Sequence, residues 1–257
     1  METTDIQSLL EGFPVITLAE MEKVRLMNRI DTKYTIQTKI LKQLLQKLKE
    51  NYFVQVVNNN CISPYQTIYL DTVDLAMYIA HQNGRRTREK IRMRAYLDSQ
   101  LSFLEIKDKN NKGRTHKQRI QLPALKEYRT TEASAFLIGH SLFRPEELFP
   151  QIENRFSRIT LVNREKTERL TIDTNISFHN LTTNNTMVMS DLVIIELKQD
   201  GNIPSFVKAT LHEMHVRPVS ISKYCLGTVL TNPDVKHNRF KKKLLQINKL
   251  TQYGYTY

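Results

Sequence analysis

The sequence predicts an α+β domain built on a barrel-like antiparallel sheet. Eight short runs alternate polar and apolar residues as strands do, one loop has hairpin composition, and helical segments flank the runs. The runs are "IDTKYTI" (30–36), "YQTIYLDT" (65–72), "EKIRMRAYL" (89–97), "LSFLEIKDK" (101–109), "THKQRIQL" (115–122), "RITLVNREK" (158–166), "RLTIDTNISF" (169–178) and "DLVIIELKQ" (191–199). Between the fourth and fifth, "KDKNNKGR" reads as a hairpin loop with Asn110, Asn111 and Gly113 as turn residues. "TTNNT" (182–186) is a surface loop. Helical spacing is clearest in "QTKILKQLLQKLKENY" (37–52), where Ile40, Leu41, Leu44, Leu45 and Leu48 share a face and the lysines opposite face solvent. Further helices are expected at 17–27, 130–141, 144–154, 203–216, 222–230 and 238–250. The segment from 236 to 257 reads as a basic helix or tail, so one domain over 1–235 is expected.

Composition narrows the partners. With 257 residues, 40% apolar and 25% charged, the chain can bury a sizeable core. Its 38 Lys and Arg against 26 Asp and Glu leave a formal charge of +12, which favours polyanions: nucleic acid, anionic membrane or phosphate chains. Cys61 and Cys225 form no framework and no zinc motif, and fit packing residues in a reducing compartment. No signal peptide and no membrane span is read, so a cytoplasmic location is expected. His212 and His215 are spaced i, i+3 on a helix and lack further ligands, which fits exposed surface. No phosphate-cradling P-loop occurs.

Charge sits on one strand face throughout. "RTREKIRMRAY" sets Arg86, Arg88, Lys90, Arg92 and Arg94 on one side, with Ile91, Met93 and Ala95 opposite. Arg29, Asp31 and Lys33 align, as do Glu105, Lys107 and Lys109. Lys117 pairs with Arg119, Arg169 with Asp173, and Glu196 with Lys198. Two arrangements fit. The charges face water across an ordinary half-buried sheet. Alternatively, they line the inside of a barrel whose apolar faces pack against outer helices. The second needs compensation, from an anionic ligand or from Glu105, Asp173 and Glu196 acting as counter-charges or as ligands of a divalent metal.

The order of motifs resembles the VTC domain. It runs Arg-x-Asp-x-Lys-Tyr (29–34), Tyr-Leu-Asp-Thr (69–72), Arg-x-Arg (92, 94), Glu-x-Lys (105, 107), Lys-x-Arg (117, 119), Asn-Arg (163, 164), Ile-Asp-Thr (172–174), Glu-x-Lys (196, 198) and Ser-Lys-Tyr (222–224). The VTC domain is the polyphosphate polymerase domain of the vacuolar transporter chaperone complex, has stand-alone bacterial relatives, and sits among the triphosphate tunnel metalloenzymes. The resemblance implies a closed antiparallel barrel of about eight strands forming a cation-lined tunnel, with helices outside. It implies ATP, triphosphate and polyphosphate as partners, no nucleic acid, and Mn2+ or Mg2+ as cofactor. By position, Lys33, Arg92, Arg94, Lys107, Lys117, Arg164 and Lys223 match catalytic phosphate-binding residues. Arg29, Arg119, Arg169 and Lys198 are added as substrate-binding, and Glu196 matches the metal ligand.

Two departures stand out. Ser220 occupies a position where the family often has a second lysine. Arg29-x-Asp31-x-Lys33 replaces the Glu-x-Glu-x-Lys opening of the cyclase and thiamine triphosphatase branch, which favours the polymerase branch. The alternatives are a triphosphatase using the same tunnel and a non-catalytic module for polyphosphate or nucleic acid. Against the latter stand the absence of Trp and the expected lack of aromatics on the cation faces.

Overall fold

Alternating apolar residues give a sheet one greasy face, and that face decides where the helices go. The computed structural model describes residues 3–21, 29–111 and 114–251. In order come α1 (Thr3–Glu11), β1 (Val15–Thr17), α2 (Leu18–Met21), β2 (Arg29–Gln37), α3 (Thr38–Leu48), β3 (Tyr52–Val56), β4 (Ile62–Asp71), α4 (Ala76–Gln82), β5 (Arg88–Tyr96), β6 (Leu101–Lys109) and β7 (Thr115–Leu122). Then follow α5 (Thr131–His140), β8 (Phe149–Asn163), β9 (Glu168–Asn180), β10 (Thr186–Met189), β11 (Leu192–Asp200), α6 (Phe206–Glu213), α7 (Lys223–Thr231) and α8 (Lys241–Thr251). The Gly113 turn and the later part of the 17–27 helix lie outside the described residues.

The sheet runs β2-β11-β9-β8-β4-β5-β6-β7, with β3 and β10 as side branches on β8 and β9, and β1 on β3. Every pairing along that main path is antiparallel. The sheet curls. Five strand steps separate β11 from β6, about 24 Å if flat, yet the Lys107 ammonium on β6 is under the field of Glu196 on β11 and Lys33 on β2.

The barrel is open, which corrects the expected closure. Among the described residues β2 and β7 exchange no ladder, and the sheet forms an open half-barrel. The reason lies in the two edges. Lys33, Asp31 and Arg29 stud one and Lys117 and Arg119 the other, and charged side chains are a common device that blunts an edge against pairing. The β2 edge also finds another partner: the Lys33 carbonyl accepts from the Val219 amide at 2.8 Å.

Outside the curl, Tyr34, Ile36, Ile159, Leu161, Leu170, Ile172, Ile195 and Leu197 pack against α1, α3 and α6. Ile68, Leu70, Ile91, Met93, Leu104 and Ile106 pack against α5. Helix α7 does not follow the expectation of helices outside. Its Tyr224, Cys225, Leu226 and Val229 pack on Tyr69, Phe156 and Ile194, which share the sheet face of Arg92, Arg158 and Glu196. It therefore plugs one end of the concave side, backed by α4 and by Leu244 and Ile247 of α8.

The segment 144–154, expected as a helix, is a 3-10 turn at Pro145–Glu147 followed by the start of β8. Pro150 disfavours the α region for Phe149, and the extended chain pairs with β4 and β9.

Candidate functional site

Strand geometry places the charged residues. Register pairs Lys33 with Glu196, sets Lys198 between Asp31 and Arg169, and pairs Arg158 with Asp173. Across the curl, Glu105 stands between Arg92 and Arg119, and Lys107 between Lys90 and Lys117. All stand on the concave face. The charges line the inside of the half-barrel, and the apolar alternates hold the outer helices.

Three carboxylates organise the groove, each shared by two cations. Glu105, fully buried, accepts from Arg92 Nε at 2.7 Å and from Lys117 Nζ. Asp173 accepts from Arg158 through Nε at 2.6 Å and Nη2 at 2.8 Å, and from Lys223 Nζ. Glu196 lies between Lys33 Nζ at 2.7 Å and Lys198 Nζ at 3.3 Å. Burial raises the pKa of each carboxyl, but the cations outweigh it and hold all three below the usual carboxylate range. On the other side of the balance, burial lowers the lysines. Lys117, Lys198 and Lys223 fall to about 8, the paired carboxylates resisting.

The cations outrun the carboxylates. Arg94, buried with Nε at 3.4 Å from Thr67 Oγ1, has no carboxylate of its own among the described residues, and its pKa is lowered by burial and by Arg92. Among the described residues Arg169 keeps a buried Nε without a hydrogen-bond partner, and it is lowered by burial and by Arg29 and Arg158. Lys107 forms no ion pair among the described residues and is lowered by burial.

Of the residues expected at the site, Lys33, Arg92, Arg94, Lys107, Lys117, Arg169, Glu196, Lys198 and Lys223 converge on the groove. Arg29 sits at the exposed rim, paired with Asp31 at 2.7 Å. Arg119 is exposed on the β7 edge, with its guanidinium 4.5 Å from the Phe103 ring centre. Arg164 stands apart. It follows β8, donates to the Glu50 carbonyl at 3.1 Å and covers the Phe53 ring. Six residues along an extended strand, about 20 Å, separate it from Arg158.

Arg158 is the residue that the sequence reading missed. It shares the alternation of Thr160 against Ile159 and Leu161, and that pattern could have found it. The reading instead followed the Asn-Arg motif at 163–164. The Tyr-Leu-Asp-Thr motif has a supporting role: buried Asp71 accepts from the Met77 and Tyr78 amides that open α4, and from the Tyr224 hydroxyl of α7. It pins both helices to the end of β4.

Aromatic rings do lie on the cation face, against expectation. Arg158 covers Tyr65 and Phe156 at 5.0 and 5.2 Å, and Lys223 stands 3.6 Å from the Phe156 centroid. These rings are roofed by cations, an arrangement that stiffens the charged side chains.

Among the described residues, no three His, Cys, Asp or Glu side chains gather as a metal cage. Glu196 offers a single carboxylate toward the groove. That donor set fits a magnesium- or manganese-type ion only when phosphate oxygens and water complete the shell, the usual mode for such ions at phosphate sites. His212 and His215 are exposed, and His215 lies beyond the end of α6.

Comparison with known proteins identifies one family: the VTC domain profile matches residues 28–232. No curated protein matches the chain. Among solved structures, a candidate adenylyl cyclase from Hippeastrum, described as revealing a dominant triphosphatase activity, aligns at TM-score 0.48 and 12% identity over 81% of this chain and 99% of its own. The PH1819 protein of Pyrococcus horikoshii OT3 aligns at TM-score 0.44 and 10% identity, over 78% and 98%. A candidate adenylate cyclase of Bacillus halodurans aligns at 0.43 and 13%, over 76% and 96%.

Proposed function

The chain belongs to the VTC domain family, and from that premise we propose that its groove binds triphosphate and polyphosphate and that it is a polyphosphate polymerase. In that reaction a terminal phosphate oxygen of the growing chain attacks the γ-phosphorus of ATP. The bond from the γ-phosphorus to the bridging oxygen breaks, ADP leaves with that oxygen, and the chain lengthens by one phosphate.

The observation that carries the reading is the uncompensated charge of the concave face. Buried and half-buried cations from seven strands and α7 face one another around three carboxylates. Unpaired buried charge is costly, so such a surface is complementary to a polyanion. Phosphoryl transfer asks little covalent chemistry of a protein; it asks for in-line positioning and for charge neutralisation on the phosphoryl oxygens. Arg92, Arg94 and Arg158 offer forked donors for paired oxygens, and Lys33, Lys107, Lys198 and Lys223 offer point charges along the chain. Glu196 would hold a divalent ion delivered with the phosphates, and such an ion, when bound, neutralises charge on the phosphate oxygens.

The test is incubation with ATP and manganese, followed by a gel stained for polyphosphate and an assay for free phosphate. The expected product is a polyphosphate ladder. Free phosphate without a ladder would replace the polymerase by a triphosphatase in the same groove. Glu196→Gln keeps the shape of the side chain while removing its charge. It should still bind triphosphate and lose metal-dependent turnover by about 10²-fold or more; normal turnover across a manganese titration would remove Glu196 from the metal role.

A further inference from the structure

A lysine at the plugged end of the groove has no place in the phosphate-binding set derived so far. Lys90 projects from β5 onto the concave face and is half-buried there. Its ammonium donates to Ser222 Oγ at 3.1 Å, and among the described residues it meets no carboxylate. Its cross-strand neighbour is Lys107, itself without an ion pair there, and beyond Lys107 stands Lys117. Like charges directly opposite on adjacent strands destabilise a sheet. Lys117 escapes by turning toward Glu105. Lys90 and Lys107 do not, and Lys33 adds its field to Lys90 from across the curl. Burial presses Lys90 down to about 8, with Arg88, Lys107 and Lys33 acting in the same direction and Cys225 in the other.

The surroundings make this the closed end. The segment before α7 is tied to β2 through the Val219 amide and the Lys33 carbonyl, and to β5 through Ser222 and Lys90. It thus crosses the open side of the half-barrel as a strap. Behind it α7 fills the concave side, with Tyr224 stacked on Tyr69 at 5.1 Å. Ser222 also accepts from the Cys225 amide as the N-cap of α7, so its hydroxyl is fixed in place.

We propose that Lys90, with Ser222 and Lys107, is the site for the terminal phosphate of a linear phosphate chain. A chain lying along the groove stops at the strap and plug, so the group that reaches Lys90 is an end group. Free phosphate ends differ from internal links in having a second ionisation near neutrality, giving about −1.5 to −2 charges at pH 7. Two adjacent uncompensated ammoniums complement that extra charge. The inference rests on the reading of the groove as a phosphate site, and it predicts selection for chains that have ends.

The test compares linear tripolyphosphate with cyclic trimetaphosphate, which has no terminal phosphate, by titration calorimetry at pH 7. Wild type should bind the linear anion more tightly. Lys90→Met, which keeps the apolar stem and removes the charge, should weaken linear binding by about tenfold or more while leaving cyclic binding nearly unchanged. Lys90→Arg should restore the preference for the linear anion, and circular dichroism with thermal melts checks that both variants fold. Equal loss for both anions in Lys90→Met, or no loss for either, would overturn the terminal-phosphate site while leaving the groove reading intact. Wild type binding neither anion would overturn the groove reading and this site with it.

Discussion

Asp173 shows how single residues govern this groove. Its carboxylate is the hydrogen-bonded counter-charge for two cations, Arg158 and Lys223, and removing it leaves both facing Arg94, with the more distant Glu196 still favouring Arg158. Asp173→Ala should therefore cost about 3–5 kcal/mol of stability, the range for breaking a buried ion pair by deleting one partner. Chemical denaturation checks this. Added tripolyphosphate should stabilise the variant more than wild type, because it supplies the missing negative charge. The lysines carry the pH dependence. Lys90, Lys117 and Lys223 sit near 8, below the ordinary lysine value of about 10.4. Between those limits the unfolded chain holds more protons than the ligand-free folded one, so the contribution of these lysines to stability rises with pH in that window. A bound phosphate chain reverses the shift by favouring the charged amines. Binding at pH 8 should take up protons, seen as a calorimetric heat that depends on the ionisation enthalpy of the buffer; heats independent of buffer would contradict this. At this scale most of the site was legible, because period-two alternation alone sorts Arg92, Lys107 and Glu196 from their apolar neighbours. Arg158 was missed because a motif drew attention to Arg164, whose partners are Glu50 and Phe53.

Among the elements, α7 decides the shape of the site. It packs inside the curl because Gly227 lets it. A Cβ there would come within 2.6 Å of the Phe178 ring and 2.9 Å of Ile152 Cγ2. Gly227→Ala should lower stability by about 1–3 kcal/mol through overpacking. It should also weaken triphosphate binding, since lifting α7 displaces Lys223 and Ser222. Gly139, in α5 with nothing within 4 Å of a built Cβ, is the matched control. There alanine should stabilise by about 0.5–1 kcal/mol through helix propensity and leave binding unchanged. Thermal melts and triphosphate titrations of the two variants separate packing from propensity. The strands with strict alternation were legible as elements, and so was α3. Segment 144–154 was not: its Glu-Glu-Leu run suits a helix, and the extended Pro150 region is held by pairing with β4 and β9, partners remote in sequence. A register shift between Arg155 and Ser157 further breaks the alternation that would have announced β8.

At the scale of the molecule, the curl turns a sheet with one charged face into a cation-lined groove with a plugged end. That the charges face inward could not be read from alternation, which is the same for a sheet facing water. The resemblance in motif order tipped the reading inward. Closure was over-read, because strand number does not say whether two charged edges meet. The central claim is that the concave cations exist to bind a phosphate chain, and calorimetric titration with linear tripolyphosphate at low and high salt tests it most directly. Screening weakens the exposed part of such contacts. The predicted result is binding that weakens as salt rises and that falls by about tenfold or more in Arg92→Ala and in Lys223→Ala. Wild-type affinity retained in both variants, at either salt concentration, would contradict the account and place the anion site elsewhere.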